Sequence, residues 1–293
     1  MPFFAPGDDP GASFLELLRR TGSEPFAGFA QVPAAEGAFG SLESSHATTV
    51  LAVRSSDGVV VAGDRRATSG NLISHRDMRK VFPADSYSAV AIAGAAGPAV
   101  QMVRLFQLQL EYYEKIEGKP LSLEGKANQL AEMLRAHLPQ AMRGLPVVPI
   151  FAGFDPADGR GRLFQYDVTG GRYEEQDYAT AGSGSLHAGT VLKLGFRDDL
   201  IESEALALGV QALWHAADED SATGGPDPVR GIYPVLAAIG SDGFRQLSDT
   251  ESGEVFAALQ AELSGGSSGG AARSDSASGD PSSAGGSRSE VLP

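Results

Sequence analysis

Helical segments come in consecutive pairs along this chain, and strand-like segments come in blocks between them. A hairpin opens the pattern: Val50 to Val53 and Val59 to Ala62 are apolar and rich in β-branched side chains, with Asp57-Gly58 between them. "YSAVAIAG" is a further strand that ends in glycine. "PAVQMVRLFQLQLEYYEKIEG" then runs at helical spacing to Gly118, a C-cap residue, and "SLEGKANQLAEMLRAHL" follows as a second amphipathic helix with Ser122 as N-cap. "VVPIFAGFD" and "GRLFQYDV" are strands around a turn at Asp155-Pro156, continued by "QDYATAGSGS". Two more helices are expected near 185–195 and 200–219, before "GIYPVLAAIGSDG" returns as a strand. A βαβ chain would alternate single helices with single strands. Paired helices between blocks of strands predict instead an α+β chain, two antiparallel sheets packed together with helix pairs outside.

This folded block is expected over 48–263, one domain's worth. Before it, residues 1–47 mix Gly, Ala, Pro and acids around one amphipathic piece, "ASFLELLRR", too short to hold a helix alone. After it, 264–293 begins "SGGSSGGAARSDSASG" and carries almost no large apolar group, the composition of a disordered tail. Lys and Arg number 23 against 37 Asp and Glu, and the net charge of -14 argues against nucleic acid or an anionic membrane as partner. No apolar run reaches the length of a membrane span, and "MPFFAPGDDPG" has neither the basic start nor the apolar stretch of a signal peptide. A cytoplasmic location is the expectation. The absence of cysteine excludes disulfides, a thiolate nucleophile and a Cys-ligated metal.

A covalent hydrolase built from this chain must therefore use Ser or Thr together with a base. The five histidines, at 46, 75, 137, 187 and 215, fall in no pattern such as G-x-S-x-G or H-E-x-x-H. Three positions around the hairpin stand out: Thr48 where the first strand starts, Asp64 in "AGDRR" where the second ends, and Lys80 in "RDMRK". A simple hairpin register brings Asp64 close to the start of the first strand. On spacing alone two readings stay open. Either these residues form a charged site, or Asp64 opens a turn and Lys80 is a solvated charge. A strand start at Thr48, behind a long leader poor in structure, points to a chain that is cut there.

"TTVLAVRSSDGVVVAGDRRATSGNLISHRDMRKVFPADSYSAVAIAGAAG", with "GSGS" at 182–185 and "ADEDSATGGPDPVRGIYPV" at 217–235, resembles the proteasome beta subunits. The likeness is to the actinobacterial 20S type with its long prosequence, and it covers about 48–246. It implies an N-terminal-nucleophile hydrolase, a four-layer αββα sandwich whose first mature residue is the catalyst. Carried over by position, 1–47 is a propeptide removed by autocleavage between Ala47 and Thr48, and Thr48 is the nucleophile. Asp64 and Lys80 are its charged surroundings, and Gly94 in "IAGAAG" supplies an oxyanion N–H. Ser183, Asp220 and Thr223 support the terminal amine and a nearby water, with Thr223 standing where many members carry Ser. Ala67, Met78, Ile92 and Ala96 line the pocket for the residue before the scissile bond, with Thr68 as a further substrate-binding residue, and the apolar character of those four implies cleavage after hydrophobic residues. The implied partners are alpha subunits and other beta subunits in stacked heptameric rings, a hexameric ATPase ring, and substrates tagged with a small ubiquitin-like protein; no cofactor is implied. A simpler peptidase of the same superfamily, partner of an unfoldase ring, shares the Thr-Thr start, the Asp and the Lys. The long leader and "SATGGPDPVRG" favour the proteasome type. A non-catalytic barrel subunit would need none of Thr48, Asp64, Lys80 and Gly94 together.

The chemistry explains why a catalyst would lie so deep in the chain. A threonine hydroxyl attacks poorly until a base takes its proton, and a free α-amine, of pKa about 8, is such a base near neutral pH. Inside a peptide bond the same nitrogen has no useful basicity. Cutting Ala47–Thr48 creates base and nucleophile on one residue. A charged Lys80 would favour the neutral amine, and one oxyanion donor contributes about 3–4 kcal/mol. The β-methyl of Thr48 restricts rotation of its hydroxyl.

Overall fold

The structure, a computed structural model, describes residues 48–70 and 72–267. β1 (Thr49–Ser55) and β2 (Gly58–Gly63) form the expected hairpin, in register from Val50 opposite Gly63 to Ser55 opposite Gly58. Both strands are apolar on both faces because each face meets a different core. Leu51, Val53, Val60 and Ala62 turn toward helices, while Val50, Ala52, Val59 and Val61 turn toward a second sheet.

The first sheet has the order β10-β1-β2-β11-β12, with β10 at Tyr178–Gly182, β11 at Val235–Gly240 and β12 at Gly243–Gln246. The second runs β5-β6-β7-β8-β9 in sequence order: Val81–Asp85, Ser88–Gly94, Val147–Asp155, Arg160–Tyr166 and Arg172–Glu175. All of these pairings are antiparallel. A small hairpin of β3 (Ala67–Ser69) and β4 (Leu72–His75) stands apart from both sheets.

Three cores separate four layers. Between the sheets the side chains are mostly Ala and Val, with Ile150 and Leu163. Outside the second sheet, α1 (Ala96–Glu117) and α2 (Leu123–Ala141) bury Phe106, Leu130 and Leu134 against Phe151 and Phe164. Phe151 meets Phe106 edge-on and stacks on Phe164, each at 5.9 Å between ring centres. Outside the first sheet, α3 (Ser185–Gly195) and α4 (Glu202–Glu219) bury Leu192, Val210 and Leu213. Each such side chain contributes about 1.5–3 kcal/mol by leaving water. The α+β sandwich of two antiparallel sheets is as expected. The caps are too: Gly118 is left-handed at φ 66°, and the Ser122 hydroxyl accepts from the Gly125 N–H.

Two expectations need correction. The outer layer on the first sheet is not a pair, because α5 (Asp249–Ser267) packs Phe256 and Leu259 into it. A reciprocal capping box starts this helix: the Ser248 hydroxyl accepts from the Glu251 N–H, and the Glu251 carboxylate accepts from the Ser248 N–H. The helix also runs through Ser267, so the first four residues of the expected tail are helical. The rest of that tail, and the leader 1–47 with Ala47, lie outside the described residues. Among the described residues no helix is long and apolar enough to cross a membrane.

Candidate active site

The hairpin register continues one step beyond Val50 and Gly63, which places Asp64 against Thr49. The Thr49 N–H donates to Asp64 Oδ1 at 2.8 Å, and the Asp64 N–H returns a bond to the Thr49 carbonyl at 3.1 Å. Lys80, at the threshold of β5, reaches the same Oδ1 at 2.6 Å and donates again to the Arg66 carbonyl at 2.5 Å. Oδ2 accepts from the Arg66 N–H at 2.9 Å and the Gly224 N–H at 2.8 Å. Both side chains are essentially inaccessible, 0% and 1% exposed. The solvated-charge reading left open by the spacing is therefore wrong. A buried ion pair persists only when its remaining valences are met, and here four donors surround the carboxylate. Burial pushes the Lys80 ammonium below its usual range, while the Asp64 carboxylate works against that shift.

Behind Thr48 and Thr49 runs a chain of hydroxyls. Asp220, at the end of α4, accepts from the Ser183 hydroxyl at 2.5 Å and the Thr223 hydroxyl at 2.7 Å. Thr223 has thus spent its one proton, so the 2.5 Å contact between the two threonine oxygens is a bond donated by Thr49 to Thr223. The remaining Thr49 lone pairs accept from the Gly184 N–H at 3.1 Å. Burial raises the Asp220 carboxyl, but the Ser183 and Thr223 hydroxyls, the Ala222 N–H and the charge of His187 outweigh it and hold the group below the ordinary carboxylate range. Asp220 is thus an anion at neutral pH, which fixes the direction of the whole chain.

Thr48 is 6% exposed and its carbonyl accepts from the Ser183 N–H at 2.9 Å. Gly182 makes that approach possible: it has φ +103°, and a Cβ there would stand 1.8 Å from the Thr48 carbonyl oxygen. Gly182→Ala is expected to cost about 1–3 kcal/mol for the backbone conformation alone and to push Thr48 out of place. Thermal melting of the purified variant, alongside its rate of peptide hydrolysis, checks both effects.

Gly94 closes β6 at φ +95°, where a Cβ would meet the Pro146 carbonyl oxygen at 2.2 Å. The Ile92 N–H donates to the Lys80 carbonyl at 2.9 Å. Strand alternation aims the Gly94 N–H toward the same edge, beyond the point where β5 begins opposite Ala91. Thr48, Lys80 and Gly94 share one cleft of about 980 Å³, and Ala67, Thr68, Met78, Ile92 and Ala96 all line it. Every expected pocket residue is thus brought to one place, while Ser183, Asp220 and Thr223 stand behind it. Among the described residues no cluster of His, Asp or Glu could hold a metal ion.

Several contributing residues escaped the sequence reading. Thr49 supplies both a hydroxyl and the N–H that holds Asp64. Arg65 ties the cleft wall to the sandwich: its carbonyl accepts from the Met78 N–H, and its guanidinium meets Asp77 at 2.7 Å and Asp249 at 2.5 Å. The doubled threonine was visible in the sequence, but the Arg65 partners are set only by the tertiary fold.

Known proteins resemble this chain over most of its length. The family model described as "Proteasome subunit" matches residues 44–229. A protein of Acidimicrobium ferrooxidans named "Proteasome subunit beta" is 54% identical over 260 residues, which is 88% of this chain and 93% of that protein. A protein of the same name from Streptomyces griseus is 54% identical over 253 residues, 86% of this chain and 88% of that one. Another, from Jonesia denitrificans, is 49% identical over 245 residues, 83% and 79% of the two chains. With matches of this extent to actinobacterial relatives, the chain belongs to the proteasome family as a 20S beta subunit.

Proposed function

We propose that this beta subunit is a catalytic one, a threonine-type endopeptidase whose nucleophile is Thr48 once residues 1–47 have been removed as a propeptide. The observation that carries the reading is the convergence of Thr48, Lys80 and Gly94 on one cleft, with the neighbouring Thr49 N–H locked to Asp64. In self-cleavage the Thr48 hydroxyl oxygen attacks the Ala47 carbonyl carbon. The C–N bond breaks, the Thr48 nitrogen gains a proton, and water hydrolyses the resulting ester to leave a free amine.

That amine then serves as base for substrate hydrolysis. The Thr48 oxygen attacks the scissile carbonyl, its proton passes to the Thr48 nitrogen, and the Gly94 N–H receives the developing oxyanion. The leaving amine takes the proton away, and water releases the acyl group by the reverse proton path. Lys80 holds positive charge near the amine and favours its neutral form, while Asp64 keeps Lys80 in place. The chain from Asp220 through Thr223 to Thr49, together with Ser183 on the Thr48 carbonyl, fixes the segment that bears the nucleophile. Ile92, Met78 and Ala96 give the pocket apolar walls, which favours cleavage after hydrophobic residues.

Such a protease is safe in a cytoplasm only behind walls. We place it in paired beta rings capped by alpha rings, fed by a hexameric ATPase with proteins that carry a ubiquitin-like tag. Residues beyond the end of α5 are read as a tail dispensable for peptide hydrolysis. Co-expression with an alpha-type chain tests the assembly directly: peptide hydrolysis should elute with a ring particle. Full activity in separate monomers would overturn this reading.

A further inference from the structure

The far end of the cleft carries a charge that the chemistry of Thr48 does not use. Ala96, Val100 and Arg104 are spaced by four residues on α1, so they share the face that lines the cleft. Arg104 lies about 12 Å along the helix from Ala96, at 1.5 Å per residue. Side chains on a helix lean toward its N-terminus, which carries the Arg104 guanidinium back over the turn of Val100, toward the catalytic end.

Arg104 is exposed and makes no ion pair or hydrogen bond with any described residue. Arg54, Arg162, Arg197 and Arg245 meet carboxylates, whereas Arg104 and Arg79, which is also exposed and lines the same cleft, meet none among the described residues. The one acid among the cleft-lining residues, Asp77, is engaged by Arg65 at 2.7 Å, and Lys80 is committed to Asp64. The uncommitted charge of the cleft is therefore positive, from Arg79 next to Lys80 in the chain and from Arg104, and only Arg104 shares a helix face with the apolar wall of Ala96 and Val100.

We propose that Arg104 is a specificity-determining residue, and that the cleft accepts a carboxylate-bearing side chain before the scissile bond while rejecting a cationic one. The proposal rests on the catalytic reading above. Ile92, Met78 and Val100 cover the methylenes of a glutamate, and Arg104 receives its carboxylate; leucine uses the walls alone; lysine meets like charge at the end of the same path.

The test uses the assembled complex of the full chain with its alpha-type partner, and three peptides that differ only in carrying Leu, Glu or Lys before the reporter bond. Glu should exceed Lys in kcat/KM by about fivefold or more, the scale of one partly exposed charge pair, and the ratio should shrink as salt is added. Arg104→Glu should lower the Glu peptide and raise the Lys peptide, inverting their order, while Arg104→Lys preserves it. A structural defect would move all three peptides in one direction, and that outcome, or a Glu-to-Lys ratio unaltered by Arg104→Glu, overturns the proposal. Binding of fluorescent versions of the same peptides, followed by anisotropy, reads charge preference without bond cleavage. An assembled complex that binds with this preference but hydrolyses nothing would refute the catalytic reading and leave only the charge preference of the cleft, with Arg104 as its source.

Discussion

Particles assembled from Thr48→Ala chains are expected to hydrolyse no peptide and to keep residues 1–47 attached. Two losses follow from one atom, because in the proposed mechanism the same oxygen attacks the Ala47 carbonyl during processing and the substrate carbonyl afterwards. Removing a covalent nucleophile costs on the order of 10⁴-fold or more in rate, so residual turnover should be at background. The fold should survive. Thr48 is held through its carbonyl, to the Ser183 N–H, and that bond does not depend on the side chain. Thr48→Ser separates chemistry from geometry: it keeps the attacking oxygen and loses only the β-methyl that limits its rotation. It should process its leader at least in part. Gel mobility of the assembled subunit and hydrolysis of a fluorogenic peptide read the two steps, and leader release from an all-Ala particle free of other proteases would disprove self-cleavage.

Lys80→Ala should impair both steps while leaving the particle assembled. Removing one member of a buried ion pair typically costs about 3–5 kcal/mol, because the other charge is stranded. Here Asp64 is only partly stranded. The N–H groups of Thr49, Arg66 and Gly224 still donate to it, so the hairpin and the α4–β11 connection remain tied together. What is lost is the positive charge beside Thr48, and the surroundings of the amine proposed to serve as base become more negative. The amine is then held protonated to higher pH, and the base needed for attack is depleted. Hydrolysis rate and leader retention, measured on particles of normal size, check this. Normal turnover would remove Lys80 from the site and leave Thr48 unaffected.

The parts of this site that were legible in the sequence were the local ones. Counting from an Asp57-Gly58 turn, a hairpin brings Asp64 to the start of the first strand, across from Leu51; the structure turns one residue earlier, at Ser56-Asp57 with Ser55 opposite Gly58, and this carries Asp64 across from Thr49. Nothing local could bring in Lys80, because a separate hairpin, β3 and β4, intervenes before the chain returns to the site at β5. Ser183, Asp220 and Thr223 meet Thr48 and Thr49 only because β10 pairs with β1 and α4 packs on the same sheet. No spacing rule joins residues that far apart, and only the likeness to a known family named them. α5 was overlooked for another reason. Its capping box was present in Ser248 and Glu251, but the segment runs directly into Gly- and Ser-rich sequence that reads as its end. The grouping of helices between blocks of strands, by contrast, reported the order of the layers, because helices must cover the outer faces of two sheets that cover each other; only the third helix on the first sheet was missed.

Position 48 is expected to be the functional beginning of the mature subunit. The intact mass of the beta subunit from purified, fully active complex tests it most directly. The expected mass is that of a chain beginning at Thr48 with an unblocked amine. Full-length chains carrying Ala47 still joined to Thr48, in a preparation with full activity, would contradict it.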